Sequence, residues 1–452
     1  MPPMPVDLAP ALPRAFAAFR AGRLPEAEAL ARAAVAAAPA DARAIHLLAL
    51  VVKAARRTDE ALALLAEAVR LDPAYAEARF NLANTQRAAG RADEAAASYR
   101  ALLACKPDHA AAHHLLGATL AEQGDAAAAR DHLERAIALD PRLGAAHTEL
   151  GNLLQQQGDH AGAVASYGRA LALAPGDARV LNNLASAELK RGGAAAALAA
   201  TDAVLTREPF NQRALAYRTA ALAALGRGAE ALAFADPEAL VAALPLAAPA
   251  PYADMAALNA ALEAEIRSHR TLTASWNPGQ RAARGGALAT DLFVDPPPAL
   301  GAFHAALRAA IDRFIAALPS AVPAVAGLPG NAAHPFLARR PRAYVLDAWA
   351  NILPAGGRQA SHIHNLGWLS GVYYVAMPPG LGAGATAEDR AGWIEFGRPG
   401  YGLPEIDPPR LAFRRPAPGL ALVFPSYLWH GTLAFTGDGE RISIAFDLHV
   451  KG

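Results

Sequence analysis

Across 452 residues the chain has one cysteine, Cys105. That excludes an intramolecular disulfide framework and fits a reducing compartment, so a cytoplasmic location is expected. A lone thiol of this kind reads as a small buried hydrophobe rather than as a nucleophile. Charge of one sign is also lacking: 42 Lys plus Arg stand against 41 Asp plus Glu, a formal net charge of +1. With neither a basic arm nor an acidic tail, nothing points to nucleic acid as a partner. Long apolar runs are missing too. Hydrophobic residues make up 54% of the chain, but much of this is alanine. Arg, Glu or Asp interrupts every long stretch before the roughly 20 residues a bilayer span needs. The opening Met1-Pro2-Pro3-Met4-Pro5-Val6-Asp7 lacks the basic and apolar regions of a signal peptide. A soluble chain of two or more domains, without a membrane partner, is expected.

What the sequence does have is a period of 34. Prolines recur at Pro39, Pro73, Pro107, Pro141, Pro175 and Pro209, and glycines at Gly22, Gly90, Gly124, Gly158, Gly192 and Gly226, with Arg56 breaking the glycine series once. Alanine occupies Ala27, Ala61, Ala95, Ala129, Ala163, Ala197 and Ala231. Each register has a physical reason. Glycine ends the first helix of a unit, where a left-handed residue is needed. Alanine allows the two helices of a unit to approach closely. Proline follows the second helix and stops it. Leu82, Leu116, Leu150 and Leu184 suit the core position of the first helix. The pattern resembles the tetratricopeptide repeat over seven units, residues 8–237. The resemblance implies an α-solenoid whose concave face takes a protein or peptide partner. Asn81, Asn84, Asn152, Asn182 and Asn183 lie in first helices, either facing such a partner or serving as solvated and capping residues. His113 and His147, 34 apart, are expected to be core residues.

The text then changes. Residues 238–253 are rich in proline and alanine and read as a linker to a domain at 254–452. Asp254 is placed to cap a helix from Met255 to His269. A loop containing Asn277-Pro278-Gly279-Gln280 and Arg284-Gly285-Gly286 follows. Pro298 to Leu318 reads as a second helix, with Phe303, Leu307, Ile311 and Phe314 on one face. From about 341 to the end the period drops to two. Strands are predicted at Tyr344–Leu353, Leu369–Ala376, Trp393–Phe396, Leu420–Phe424 and Arg441–Val450. On the last of these, Ile442, Ile444, Phe446, Leu448 and Val450 form an apolar face. Arg441, Ser443, Ala445, Asp447 and His449 form the other, which either lines a lumen or meets solvent. The fold class expected is therefore a multidomain α + β chain, a solenoid followed by a jelly roll with supporting helices.

Three short strings carry the chemistry: Ser361-His362-Ile363-His364, Trp429-His430-Gly431 and Arg441-Ile442-Ser443. Residues i and i+2 of a strand face the same way, so His362 and His364 can address one metal ion. Arg441 can meet a carboxylate with its planar fork. These strings resemble the 2-oxoglutarate- and Fe(II)-dependent oxygenases of the double-stranded β-helix class, closely over 340–452 and loosely over 253–340. The resemblance implies Fe(II), 2-oxoglutarate and O₂ as cofactor and cosubstrates, with 2-oxoglutarate decarboxylation coupled to hydroxylation of a substrate. His362 matches the first metal ligand, His430 the distal one, Arg441 the residue that pairs with the far carboxylate of 2-oxoglutarate, and Ser443 the hydroxyl that accompanies it. Ser370-Gly371-Val372-Tyr373-Tyr374-Val375 resembles the strand after the metal pair in prolyl hydroxylases, where the second tyrosine, here Tyr374, donates to the cosubstrate.

His364 departs from the family pattern, which has Asp or Glu there. A three-histidine site is one account, and a bacterial subgroup of the family is similar in its His-X-His pair. A second account brings an acid from elsewhere, such as Glu395 or Asp347. The third is a metal-free domain. Asn351 is a further candidate for contact with the cosubstrate, whereas Trp349 and Trp429 read as packing and His269, His304 and His334 as surface residues. His449 shares the lumen face but lies too far along the strand to join the site. The function implied is a dioxygenase acting on a protein or peptide recruited by the repeats. Two alternatives stand beside it: a non-catalytic scaffold with a cupin-like binding domain, and a three-histidine iron dioxygenase that does not use 2-oxoglutarate.

Overall fold

The computed structural model describes residues 11–274, 283–325, 328–378, 381 and 390–451. The expected loop string Asn277–Gln280 and the first residues of the array, 8–10, lie outside them. The chain divides into two compact units, Met1–Pro175 and Gly176–Gly452.

Within the first unit, ten helices form five antiparallel pairs, from Ala11–Arg20 with Leu24–Ala37 to Gly144–Gln156 with His160–Leu173. The periodic residues perform the tasks their chemistry suits. Gly22, Gly90, Gly124 and Gly158 take φ values of 73° to 85°, and Arg56 takes 63° at the same phase. Ala27, Ala61, Ala95, Ala129 and Ala163 have no exposed surface. Tyr99 donates to Asn84 at 2.5 Å, and Tyr167 donates to Asn152 at 2.9 Å, 68 residues on. These asparagines therefore hold the second helix of their own unit. The recurring His113 and His147 differ in burial: His147 is buried and His113 only half-buried. Both ring Nε2 atoms sit 3.0 Å from the carbonyl of the proline six residues earlier, Pro107 or Pro141. Arg79, one period before, reaches Pro73 O at 2.8 Å. This position satisfies an inter-repeat carbonyl that the helix end leaves without a partner. Cys105 is exposed, not buried, as the last residue of the helix Ala92–Cys105.

In the second unit the sequence period continues through four helices, Ala178–Lys190 to Gly228–Ala235. They pack with the β-rich part of the same unit. The Trp429 indole donates to Ala216 O at 3.0 Å and the Tyr427 hydroxyl to Phe234 O at 2.6 Å, and Arg410 pairs with Asp236 at 2.5 Å. Compactness thus divides the chain at Pro175, although the repeat period runs on to 237. The stretch 238–253 is not merely a spacer: β1 (Ala242–Leu244) pairs antiparallel with residues 421–423. The helix Met255–Arg267 starts where expected, Asp254 accepting from Ala257 N at 2.8 Å. Its Tyr373 contact through Asn259 ties it to the sheet. Glu265 accepts from the main chain of Ala299 and Leu300, capping the helix Pro298–Ala317, whose Phe303, Leu307 and Ile311 are wholly buried.

The remaining strands are β2 (Ala283–Arg284), β3 (Ala287–Ala289), β4 (Tyr344–Pro354), β5 (Arg358–His362), β6 (Leu369–Ala376), β7 (Ile394–Phe396), β8 (Ala412–Arg414), β9 (Ala421–Pro425), β10 (His430–Thr432) and β11 (Glu440–Val450). They form two antiparallel sheets, in the orders β1-β9-β6-β11-β4-β3 and β2-β5-β10-β7-β8. The five predicted strands are present within two residues of their expected ends. β1, β2, β3, β5, β8 and β10 were not predicted: five of them are two or three residues long, and β5 is polar and shows no apolar face.

Candidate metal centre and cosubstrate pocket

The site lies between the two sheets. Its cavity takes His362, His430 and Thr432 from one sheet and Tyr374, Arg441 and Ser443 from the other. It is tight: about 420 Å³ is unfilled by atoms, of which the centre of a water molecule reaches about 20 Å³.

β5 and β10 are adjacent, with His362 opposite His430 in register. β5 ends at His362, so His364 is not on a strand as its spacing suggested. A bond from His364 N to Ser426 O at 3.0 Å turns its ring back toward the other two. Each of the three histidines offers a ring nitrogen within 4.8 Å of the others. The hydrogen bonds fix which nitrogen that is. Nδ1 of His362 donates to Ala360 O at 2.8 Å, Nδ1 of His430 to Leu428 O at 2.9 Å, and Nδ1 of His364 to Asp447 Oδ1 at 2.5 Å. With each Nδ1 proton engaged, every Nε2 presents a lone pair to the common centre. Nε2 of His362 and of His364 are 3.2 Å apart, a separation two nitrogens adopt when they share one cation at about 2.1 Å from each. Burial, then the neighbouring His364, pushes the His362 imidazole down to about 3. His430 is held well below its ordinary value by burial and by His362 and His364. Both are neutral near pH 7, the state a metal ligand needs.

Neither acid weighed as a third ligand joins this cluster. Glu395 is paired with Arg398 at 2.7 Å, and Asp347 with His449 at 3.1 Å. Asp447, on the lumen face of β11, is the carboxylate that reaches a histidine of the cluster. Its Oδ1 also accepts from Ser370 Oγ at 2.7 Å, and Ser370 Oγ lies 2.8 Å from Ser426 Oγ. Burial pushes the Asp447 carboxyl up, but His364 and Ser370 outweigh it and hold it below the usual carboxylate range.

Arg441 is almost wholly buried and makes no ion pair among the described residues. Its Nη2 donates to Thr432 Oγ1 at 2.9 Å and its Nη1 to Gly392 O at 3.2 Å, leaving Nε without a partner. Burial draws its pKa down. The Tyr374 hydroxyl, beside it in the cavity, also has no hydrogen-bond partner among the described residues, and burial pushes the phenol up to about 12 against the pull of Arg441. Ser443 lines the same cavity and is buried. Unpaired buried donors of this kind are costly unless an acceptor meets them. Asn351 lies opposite Ser443 in register, buried, with its own Nδ2 unpartnered. Trp349 lines the cavity 5.5 Å from the His364 ring, centroid to centroid, so it is not packing alone. Trp429 is packing, as expected. His334 is buried, not on the surface, and His304 stacks on Phe293 at 4.2 Å.

Sequence reasoning missed Thr432 and the roles of Ser370 and Asp447. Thr432 carries no motif, and Ser370 opens the Ser370–Val375 string without having been given a task. Asp447 shares the two-residue phase of Arg441 and Ser443, and that phase was its available signal.

Residues 347–447 match the family described as "Putative 2OG-Fe(II) oxygenase", and residues 53–118 and 120–182 match the tetratricopeptide repeat. The chain thus contains tetratricopeptide repeats and a domain of that oxygenase family. No curated protein matches it. Solved structures similar to it include a tetratricopeptide repeat protein from Parabacteroides merdae, at 18% identity over 50% of this chain and 89% of that one, TM-score 0.42. PilF of Pseudomonas aeruginosa is 17% identical over 46% of this chain and 94% of its own, TM-score 0.42. YrrB, described as a TPR protein with an unusual peptide-binding site, is 21% identical over 41% and 95%, TM-score 0.37. Among the described residues no helix is long and apolar enough to cross a membrane.

Proposed function

We propose that this chain is an Fe(II)- and 2-oxoglutarate-dependent dioxygenase that hydroxylates a protein or peptide recruited by its repeats. The observation that carries the reading is the pairing, in one lumen, of three convergent imidazole Nε2 atoms with a buried guanidinium that has no counter-ion among the described residues. The donor set fits the metal. His362, His364 and His430 would hold Fe(II) through Nε2, and three nitrogen ligands on one side leave room for exchangeable ones. The cosubstrate fits the other end. Arg441 would take its far carboxylate, the orphaned Nε and the Tyr374 hydroxyl supplying donors, with Ser443 beside them. Iron with 2-oxoglutarate and O₂ supplies the oxidising equivalents that turn a C–H bond into C–OH. The protein orients the diacid and encloses the reaction between two sheets, which keeps bulk water out. Seating a five-carbon diacid in so tight a cavity requires lining side chains to change rotamer, as partners commonly do on binding.

The unpaired Arg441 favours this reading over an iron dioxygenase without 2-oxoglutarate, which would give the guanidinium no ligand. For the repeats, a cavity of about 500 Å³ is lined by Asn84, Arg87, Tyr99 and Glu122, in which Arg87 pairs with Glu122 and Tyr99 donates to Asn84, so a peptide there would meet groups that already bond one another.

The test is turnover of purified protein with Fe(II), ascorbate and 2-oxoglutarate, following succinate and measuring bound iron. About one iron per chain and succinate formation are expected, both lost in His430→Ala. Wild-type protein that binds no iron and forms no succinate sinks the reading in favour of a binding scaffold.

A further inference from the structure

The proposed centre leaves a question of charge. Two imidazoles and a carboxylate give a divalent ion one negative charge, whereas three neutral imidazoles give none. We infer that Asp447 supplies the missing negative charge from behind His364, acting as a positioning residue that fixes the ring and strengthens its Nε2 as a ligand. This inference rests on the metal-centre reading above.

Three observations support it. First, the three histidines differ in what their Nδ1 protons meet. His362 and His430 donate to main-chain carbonyls, and His364 alone donates to a carboxylate. Second, that histidine is the one standing where the family pattern has an acid. The acid is present in the fold but displaced by one imidazole, reaching the centre from β11 instead of from the residue two after His362. Third, the carboxylate is itself held. Asp447 is 8% exposed, its Oδ1 accepts from Ser370 as well as from His364, and the wholly buried Ser370 and Ser426 touch each other behind it. A second acid–histidine contact, Asp347 with His449, involves no histidine of the centre. Carboxylate–histidine–metal relays raise ligand basicity, and their loss typically weakens metal binding by 10- to 100-fold.

The test uses the full-length protein and three variants: Asp447→Asn, His364→Asp and the two combined. Fe(II) affinity and the Fe(III)/Fe(II) midpoint potential are read, with thermal unfolding as the check on folding. Asp447→Asn preserves shape and one hydrogen bond while removing the charge. It is expected to weaken Fe(II) binding by 10- to 100-fold and to raise the potential, because negative charge favours Fe(III). A purely structural role would leave the potential unmoved. His364→Asp alone crowds two carboxylates together and is expected to bind iron poorly. The combined variant restores a single negative charge and is expected to bind iron more tightly than either parent. Asp447→Asn with wild-type affinity and potential overturns the inference while leaving the metal centre standing, as does a combined variant no better than His364→Asp. Wild-type protein that binds no iron overturns both.

Discussion

The first unit repeats its solutions and the site uses each of its own once. Between residues 11 and 175 the same tasks recur at one phase: an alanine at zero exposure, a left-handed residue ending the first helix, a tyrosine held by an asparagine. In the candidate metal centre the parts come from different places along the chain: His362 ends β5, His430 opens β10, and their strands pair, while His364 lies beyond β5 and is held by its main-chain bond to Ser426. Stability in a repeat array is close to a sum of local terms. A loss there is shared among units, whereas a loss in the site removes a function outright.

The sharpest way to expose that contrast is at Arg441. Arg441→Ala removes the only buried cation facing the cavity among the described residues. It is expected to weaken 2-oxoglutarate binding by at least about 2 kcal/mol, roughly 30-fold, with iron content unchanged. Arg441→Lys should fall between, keeping the charge and losing the fork. Isothermal titration of each variant with 2-oxoglutarate, in the presence of Mn(II) to block turnover, reads the effect. Unchanged affinity in Arg441→Ala would place the diacid elsewhere.

A packing change in the array should have a graded effect. A Cβ added at Gly151 would lie 2.5 Å from the Tyr167 ring, which is packed against it and hydrogen-bonded to Asn152. Gly151→Ala is expected to cost about 1–3 kcal/mol, visible as a lower urea midpoint, while iron content stays at the wild-type value. Lost iron in this variant would show that the two regions do not fail separately, and the contrast drawn above would not hold.

The same contrast explains what the sequence made legible. The array was readable because its constraints are local: a 34-residue period reports glycine, alanine and proline positions directly, and the structure places them accordingly. β4, β6 and β11 were readable because they are long enough to show a face. β5 and β10 were not, since Arg358–His362 is polar and half-exposed along its length and His430–Thr432 is three residues long. Yet these two strands bring His362 against His430. The histidines themselves were found from spacing. Their arrangement was found for a partly mistaken reason, because His364 lies beyond the strand and is turned by its bond to Ser426. Asp447 was written on the correct face and left without a task, because nothing local to it says that a histidine 83 residues earlier will donate to it. The boundary at 237 followed the period, while packing of the last four repeat helices on the β-rich part follows from side chains such as Trp429 and Tyr427 that no period reports.

The smallest effect is expected where the array breaks its own rule. Arg56 occupies the phase that glycine fills elsewhere, and it adopts φ 63° with its side chain exposed. A left-handed conformation costs a residue with a Cβ about 1 kcal/mol or more, and glycine gives back part of that through its greater freedom in the unfolded chain. Arg56→Gly is therefore expected to stabilise the protein by about 0.5–1 kcal/mol, read as a higher urea midpoint at unchanged slope. Arg56→Ala is the control, since alanine keeps the Cβ and should gain nothing. Equal gains from both would mean that the arginine side chain, and not its backbone, is what destabilises this turn, and the recurring glycines would then need a reason other than their conformation.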